Sequence, residues 1–201
     1  MLTLTIPKQY QGAQSDNNFT IKSNTAAHAK TLYCRAKENL LQVNKWGKIA
    51  GGLSAKFQLT NNHGDSLYRQ ARVDDYIKIK LPAAGRNYDW VQIEAIQETG
   101  EGDHQKILIR VRPTTDPQSI ENNTAHFLTN DATSSFIVER KHERVTASVI
   151  GRNELPNTQV DSLLYKIRNA IVGLLVMLGL NTPQWKALAK GFLTKTVTMT
   201  T

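Results

Sequence analysis

The segment Gly151-Arg152-Asn153-Glu154-Leu155-Pro156-Asn157 gathers an arginine, a carboxylate and two amides into one short stretch. A guanidinium fork at Arg152 suits bidentate capture of an acidic ligand group. A carboxylate such as Glu154, once partly desolvated, suits proton transfer as a general base. Turn and capping hydrogen bonds account for the same residues more simply. A second set, Lys78, Lys80, Arg110 and Arg112, alternates along two strand-like runs, with Gln92 and Glu94 on the run between them. Cross-strand neutralisation through Glu94 is the simple account, and a phosphate or nucleic-acid surface is the alternative. Only Tyr76 and Trp90 accompany these basic residues, which is short of an aromatic ladder for stacking single-stranded bases.

Other chemistry finds no support in residue spacing. The five histidines, His28, His63, His104, His126 and His142, form neither HxH nor HExxH, and one cysteine, Cys34, does not make a structural zinc site. Cys34 falls near the apolar stripe of a helix, where a packed thiol is expected in preference to a nucleophile. Gly47-Lys48-Ile49-Ala50-Gly51-Gly52-Leu53-Ser54 lacks the order in which a lysine follows the second glycine of a phosphate loop. There is no GxSxG elbow. No catalytic residue, metal or cofactor is therefore assigned, and the balance leans away from an enzyme.

The elements that must position these residues are clearer. Phe19 to Lys22 reads as a short strand, and Asn24 or Thr25 as the cap of one long helix running to about Trp46. Ala29, Tyr33, Ala36, Leu40 and Val43 form its apolar stripe. Strands then follow at Ala55–Leu59, Tyr76–Leu81, Trp90–Gln97, Ile107–Val111, Phe136–Arg140 and Val145–Ile150, with another beginning near His126. Their alternation implies an antiparallel sheet with one apolar and one solvated face, with Val91, Ile93 and Ala95 on one side. Val160 to Leu180 reads as a helix, amphipathic at first and apolar all round from Ala170, so it must be buried on every side. Thr182-Pro183 starts a second, short helix with Trp185, Leu188, Ala189 and Phe192 on one face. These aromatics are expected to cover Val172, Val176 and Leu180.

With 201 residues, 40% hydrophobic and 21% charged, the chain is ordinary for a globular protein. It is read as one domain over 1–201, with a polar leader at 1–18, a folded core at 19–193 and a frayed tail at 194–201. The apolar run after Ala170 is too short for a membrane span, and the opening residues do not read as an export signal, so a cytoplasmic location is expected. The net charge of +8 is uneven: residues 1–60 carry eight Lys/Arg against two acids, while 61–160 carry twelve against fourteen. The excess lies away from the sheet, which disfavours nucleic acid as the partner.

The order strand, helix, antiparallel strands, long C-terminal helix resembles the helix-grip fold of the START-like and polyketide-cyclase-like superfamily. The resemblance spans about residues 19 to 180 and rests on element order, so no catalytic residue is carried over. It implies an α+β protein whose antiparallel sheet wraps a long C-terminal helix, with the short helix at 183–193 as an addition. It also implies a cavity between sheet and helix, of a kind used for apolar ligands. The competing architecture is a small β-barrel with external helices. The expected function is binding of a small apolar or amphipathic ligand, with Trp46, Trp90, Phe127, Arg152, Glu154, Tyr165 and Arg168 lining or gating the cavity. Self-association through the C-terminal helical hairpin and a cyclase- or hydrolase-like activity are the alternatives.

Overall fold

The computed structural model describes residues 5–51, 55–80, 88–119, 128–155 and 183–196. The expected helix at 160–180, and with it Tyr165 and Arg168, lies outside them, as does Phe127. Seven strands, β1 (Ala13–Lys22), β2 (Lys56–Thr60), β3 (Tyr76–Lys80), β4 (Asp89–Thr99), β5 (His104–Pro113), β6 (Thr133–Lys141) and β7 (Arg144–Glu154), form one antiparallel sheet in the order β1-β7-β6-β5-β4-β3-β2. β1 and β2 do not pair, so the sheet is open, which excludes the closed barrel. Among the described residues three helices pack on one face: α1 (Ala26–Leu41), α2 (Trp46–Ala50) and α3 (Pro183–Thr194). The expected α+β architecture, an open antiparallel sheet with helices on one face, is observed, while the long helix it was expected to grip lies outside the described residues. No helix among the described residues is long and apolar enough to cross a membrane.

Several local expectations are corrected. β1 starts at Ala13, six residues earlier than the apolar signal at Phe19, because Ser15 to Asn18 pair with Ser148 to Gly151 of β7 although their side chains are polar. The first helix is two helices. Gln42 leaves the helical region (φ −93°, ψ 68°), and a 3-10 turn at Val43–Lys45 leads into α2. Asn44 explains the break: its Oδ1 accepts from Leu59 N (2.6 Å) and its Nδ2 donates to Leu67 O (2.7 Å), tying the bend to β2. A bulge at Glu94 sends both Glu94 and Ala95 outward, so Ile96 and Glu98 take the inner positions where simple alternation would not put them.

The helix-facing side holds the core. Trp46 (1% exposed) sits at its centre, with ring centroids 4.5 Å from Phe136, 5.6 Å from Phe57 and 5.7 Å from Phe192, and its Nε1 donates to Leu40 O at 3.0 Å. Burying an aromatic of this size stabilises by about 3 kcal/mol or more. Trp185 and Phe192 of α3 point at this cluster, Trp185 lying 5.7 Å from Phe136. The short helix is thus packed into the sheet, against β1 and β7, and is no peripheral addition. Gly191 allows the contact with α2, since a Cβ there would lie 2.3 Å from the Ile49 carbonyl oxygen. The buried Asn39 of α1 donates to the carbonyls of Phe192 and Lys195 (both 2.9 Å), and Arg35 donates to that of Leu193 (2.8 Å), capping α3 from outside.

The outer face is not simply solvated. Leu108, Trp90 and Ile137 are buried there at 0%, 4% and 4% exposure. Residues 5–12 run across this side, held by Arg110 to Thr5 O (3.2 Å) and Gln11 Nε2 to Asp131 (2.9 Å). Cys34 is exposed, on the side of α1 opposite Ala29, Tyr33 and Ala36, and is not the packed thiol expected.

Candidate functional site

Simple alternation would place Arg152 and Glu154 on one face of β7. Asn153 prevents this. It is buried with φ 56°, a left-handed conformation that asparagine tolerates better than most residues. Residues 8–11 hold it there: its Oδ1 accepts from the Tyr10 and Gln11 amides (2.9 and 3.3 Å) and its Nδ2 donates to Lys8 O (3.1 Å). Its own amide donates to Gln9 Oε1 at 2.9 Å. The kink turns Glu154 inward and leaves Arg152 outward.

Arg152 is consumed by its own sheet. Nη2 donates to Asp16 Oδ1 (2.8 Å), and Nη1 to the carbonyls of Gly151 (2.7 Å) and Ser15 (3.2 Å). The fork that the sequence offered for an acidic ligand is locked across the β1–β7 seam. The expected side-by-side pairing of an arginine clamp with a carboxylate base is therefore not formed.

Glu154 is 2% exposed, and neither carboxylate oxygen has a hydrogen-bond partner among the described residues. It lies over Gly151, where a Cβ would stand 2.1 Å from Oε1 and 2.7 Å from Ser15 Oγ, so glycine is what makes room for the carboxyl. Burial pushes Glu154 up from 4.5 to about 8, against the opposing pull of the Arg152 charge. At neutral pH the group is mostly a neutral acid that can both donate and accept.

The inner-face rung beneath it runs Ser15–Gly151–Ser134 across β1, β7 and β6. The next rungs inward carry Asn17–Val149–Phe136 and Phe19–Ala147–Val138. Small residues thus replace large ones at the end of the sheet where Glu154 sits. Further along the same end, Asp89 opposes Ile79 on the inner face of β4, and burial raises it from 3.8 to about 7. Three strand spacings, about 14 Å, separate β4 from β7.

Of the residues expected to line a cavity, Glu154 alone lies at this rung among the described residues. Trp46 is at the core centre, Trp90 is on the outer face opposite Lys78, and Arg152 points outward. Ser15, Ser134 and Asp89 escape sequence reading. Ser15 lies in a polar stretch without an apolar alternation, and the serine pair Ser134-Ser135 before Phe136 is the only signal for the rung. Within the outward basic set, Arg110 and Arg112 behave as simple pairing requires, whereas Lys78 and Lys80 have no ion pair among the described residues. Glu94 bonds Arg110 Nε and, at 2.7 Å, Arg112 Nε. Burial works to raise Glu94, but its bonds to Arg112 and Arg110 outweigh it and hold the carboxyl below its ordinary value. Among the described residues no group of three or more His, Cys, Asp or Glu converges on a metal position.

No family model and no curated protein sequence matches the chain. Solved structures do. A hypothetical protein of Helicobacter pylori superposes with a TM-score of 0.53 at 12% identity, covering 98% of this chain and 99% of that one. The Zhui aromatase/cyclase of a Streptomyces species gives a TM-score of 0.45 at 11% identity over 90% and 92% of the two chains. A major latex-like protein of Panax ginseng gives 0.37 at 15% identity over 81% and 98%. At such identity the first likeness shows a shared fold and no activity.

Proposed function

We propose that this protein binds a small amphipathic molecule against the helix-facing side of its sheet, with the Glu154 carboxyl as the polar anchor. The observation that carries this reading is a buried carboxyl without a partner, set over a rung of Ser15, Gly151 and Ser134. A buried polar group left unbonded costs about 1–3 kcal/mol, and a ligand hydroxyl or carbonyl on Glu154 would recover it. Val149, Ala147 and Phe19 on the next rungs make the surroundings of the carboxyl apolar.

Native mass spectrometry of the purified protein, with organic extraction of the same sample, tests the reading. A co-purifying molecule at one per chain, or saturable binding of a long-chain alcohol or aromatic ketone, is expected. Glu154→Leu should weaken binding about tenfold, the loss of one buried hydrogen bond, while leaving circular dichroism unchanged. Wild-type protein that carries nothing and binds no member of such a panel would overturn the proposal. So would undiminished binding by a folded Glu154→Leu protein.

A second reading shares this site. A carboxyl titrating near neutrality is suited to acid–base catalysis on the bound molecule. Glu154→Gln preserves shape and hydrogen bonding but moves no proton. Ligand turnover that vanishes in this variant while binding survives would favour the enzyme.

A further inference from the structure

At the opposite edge of the sheet, β2 has β3 on one side and, among the described residues, only a bridge from Thr60 to Ser66 on the other. An open groove of about 610 Å³ wraps this edge, bordered among the described residues by α2, β2, β3 and Tyr88. Four lysines line it, Lys48, Lys56, Lys78 and Lys80, and among the described residues no acidic residue does. None of the four has a carboxylate partner among the described residues. This contrasts with Arg110 and Arg112 on the same outer face, which Glu94 neutralises.

The register makes the arrangement costly. Lys56 pairs directly with Lys80, and Lys78 stands one outward position further along β3, opposite Gln58. Like charges opposite each other on one face repel, and a counter-charge between them removes that penalty. The ring of Tyr88 holds the two β3 ammonium groups near the groove, Lys78 Nζ at 4.1 Å and Lys80 Nζ at 5.6 Å from its centroid. The amides nearby are engaged. Asn44 is spent on Leu59 N and Leu67 O, and Gln58 Nε2 donates to Leu59 O at 2.9 Å. The groove therefore presents ammonium donors and few acceptors. Ala55 and Phe57 give it an apolar wall. Its volume falls in the range of sites that hold a small molecule.

We propose that this groove is a binding site for a small organic phosphate carrying two or more negative charges. Its phosphoryl oxygens lie between Lys56 and Lys80, with Lys78 and Lys48 flanking, and its carbon skeleton rests on Ala55 and Phe57. The site is on the other edge of the sheet from Glu154 and does not depend on the function proposed above.

Calorimetric titration of the full chain with inorganic tripolyphosphate at low salt tests the proposal, alongside a Lys56→Gln/Lys80→Gln variant. A Lys22→Gln/Lys30→Gln variant removes the same net charge elsewhere. One tripolyphosphate per chain is expected, bound about tenfold or more weakly by the groove variant and unchanged in the control, with affinity falling as salt rises. Amide shifts in a nitrogen-15 spectrum of the wild type should cluster at 44–48, 56–58, 78–80 and 88. Absence of binding, or equal weakening in both variants, would overturn the site. Binding of single-stranded oligothymidylates that tightens with length and exceeds tripolyphosphate would also overturn it, replacing it with an extended nucleic-acid surface.

Discussion

The two edges of the sheet treat ionisable groups in opposite ways. At the β1–β7 edge, Glu154 has been taken out of water with no partner, and it responds by holding its proton to about pH 8. At the β2–β3 edge, Lys56 and Lys80 stand directly opposite each other with no carboxylate partner among the described residues. Between the edges, Glu94 meets Arg110 and Arg112 and is balanced. Glu154 and the Lys56–Lys80 pair are left unmatched among the described residues, and each would be completed by a different group, a neutral hydrogen-bonding ligand for the first and an anion for the second.

The largest test of this contrast is the pH dependence of stability. Folded Glu154 keeps its proton to about pH 8 whereas the unfolded chain loses it near 4.5. Its contribution is therefore full below about pH 4.5 and is lost as pH rises through 8, by an amount of order 4 kcal/mol. Asp89, raised to about 7, adds a slope of the same sign. Urea unfolding from pH 5 to 8 should show stability falling, Glu154→Gln should flatten most of that fall, and adding Asp89→Asn should remove more. A Glu154→Gln profile parallel to the wild type would break the contrast.

Next in size is the kink that creates it. Asn153→Ala loses the side-chain bonds to residues 8, 10 and 11 and places a less tolerant residue at φ 56°, so a loss of about 2–3 kcal/mol is expected in denaturant unfolding. Asn153→Gly keeps the conformation and should cost less than alanine. Equal costs would mean that the turn is held by something other than backbone preference.

Glu94→Gln should cost about 1 kcal/mol, because its partners are partly exposed and screened. The paired carboxylate is held below its ordinary value, so its contribution is lost as pH falls, opposite in sign to that of Glu154. Smallest is Lys56→Gln, which should stabilise the ligand-free protein by about 0.5 kcal/mol at low salt. The gain should disappear at high salt, and a gain that persists there would point to packing instead of charge.

How far these features were legible depends on the range of the interactions that make them. The strands from β2 to β7, the stripe of α1 and the face of α3 follow from local periodicity, since each repeats every two or three to four residues. The pairing of Glu94 with Arg110 and Arg112 was also legible, because alternation aims all three outward. β1 before Phe19 was not, because polar residues become a strand there only by pairing with β7 from far along the chain.

The sequence determined the antiparallel strands, most of the element order and the lack of a recognisable catalytic or metal motif, while leaving both an open sheet and a small barrel standing. Tertiary structure alone decided which neighbours part company. Arg152 and Glu154, two residues apart, end on opposite faces because residues 8–11 hold Asn153 in a left-handed turn. Lys56 and Lys80, far apart in sequence, end opposite each other because register sets them there. Burial and register are properties of the assembled sheet, and they decide which carboxyl keeps its proton and which lysines lack a partner.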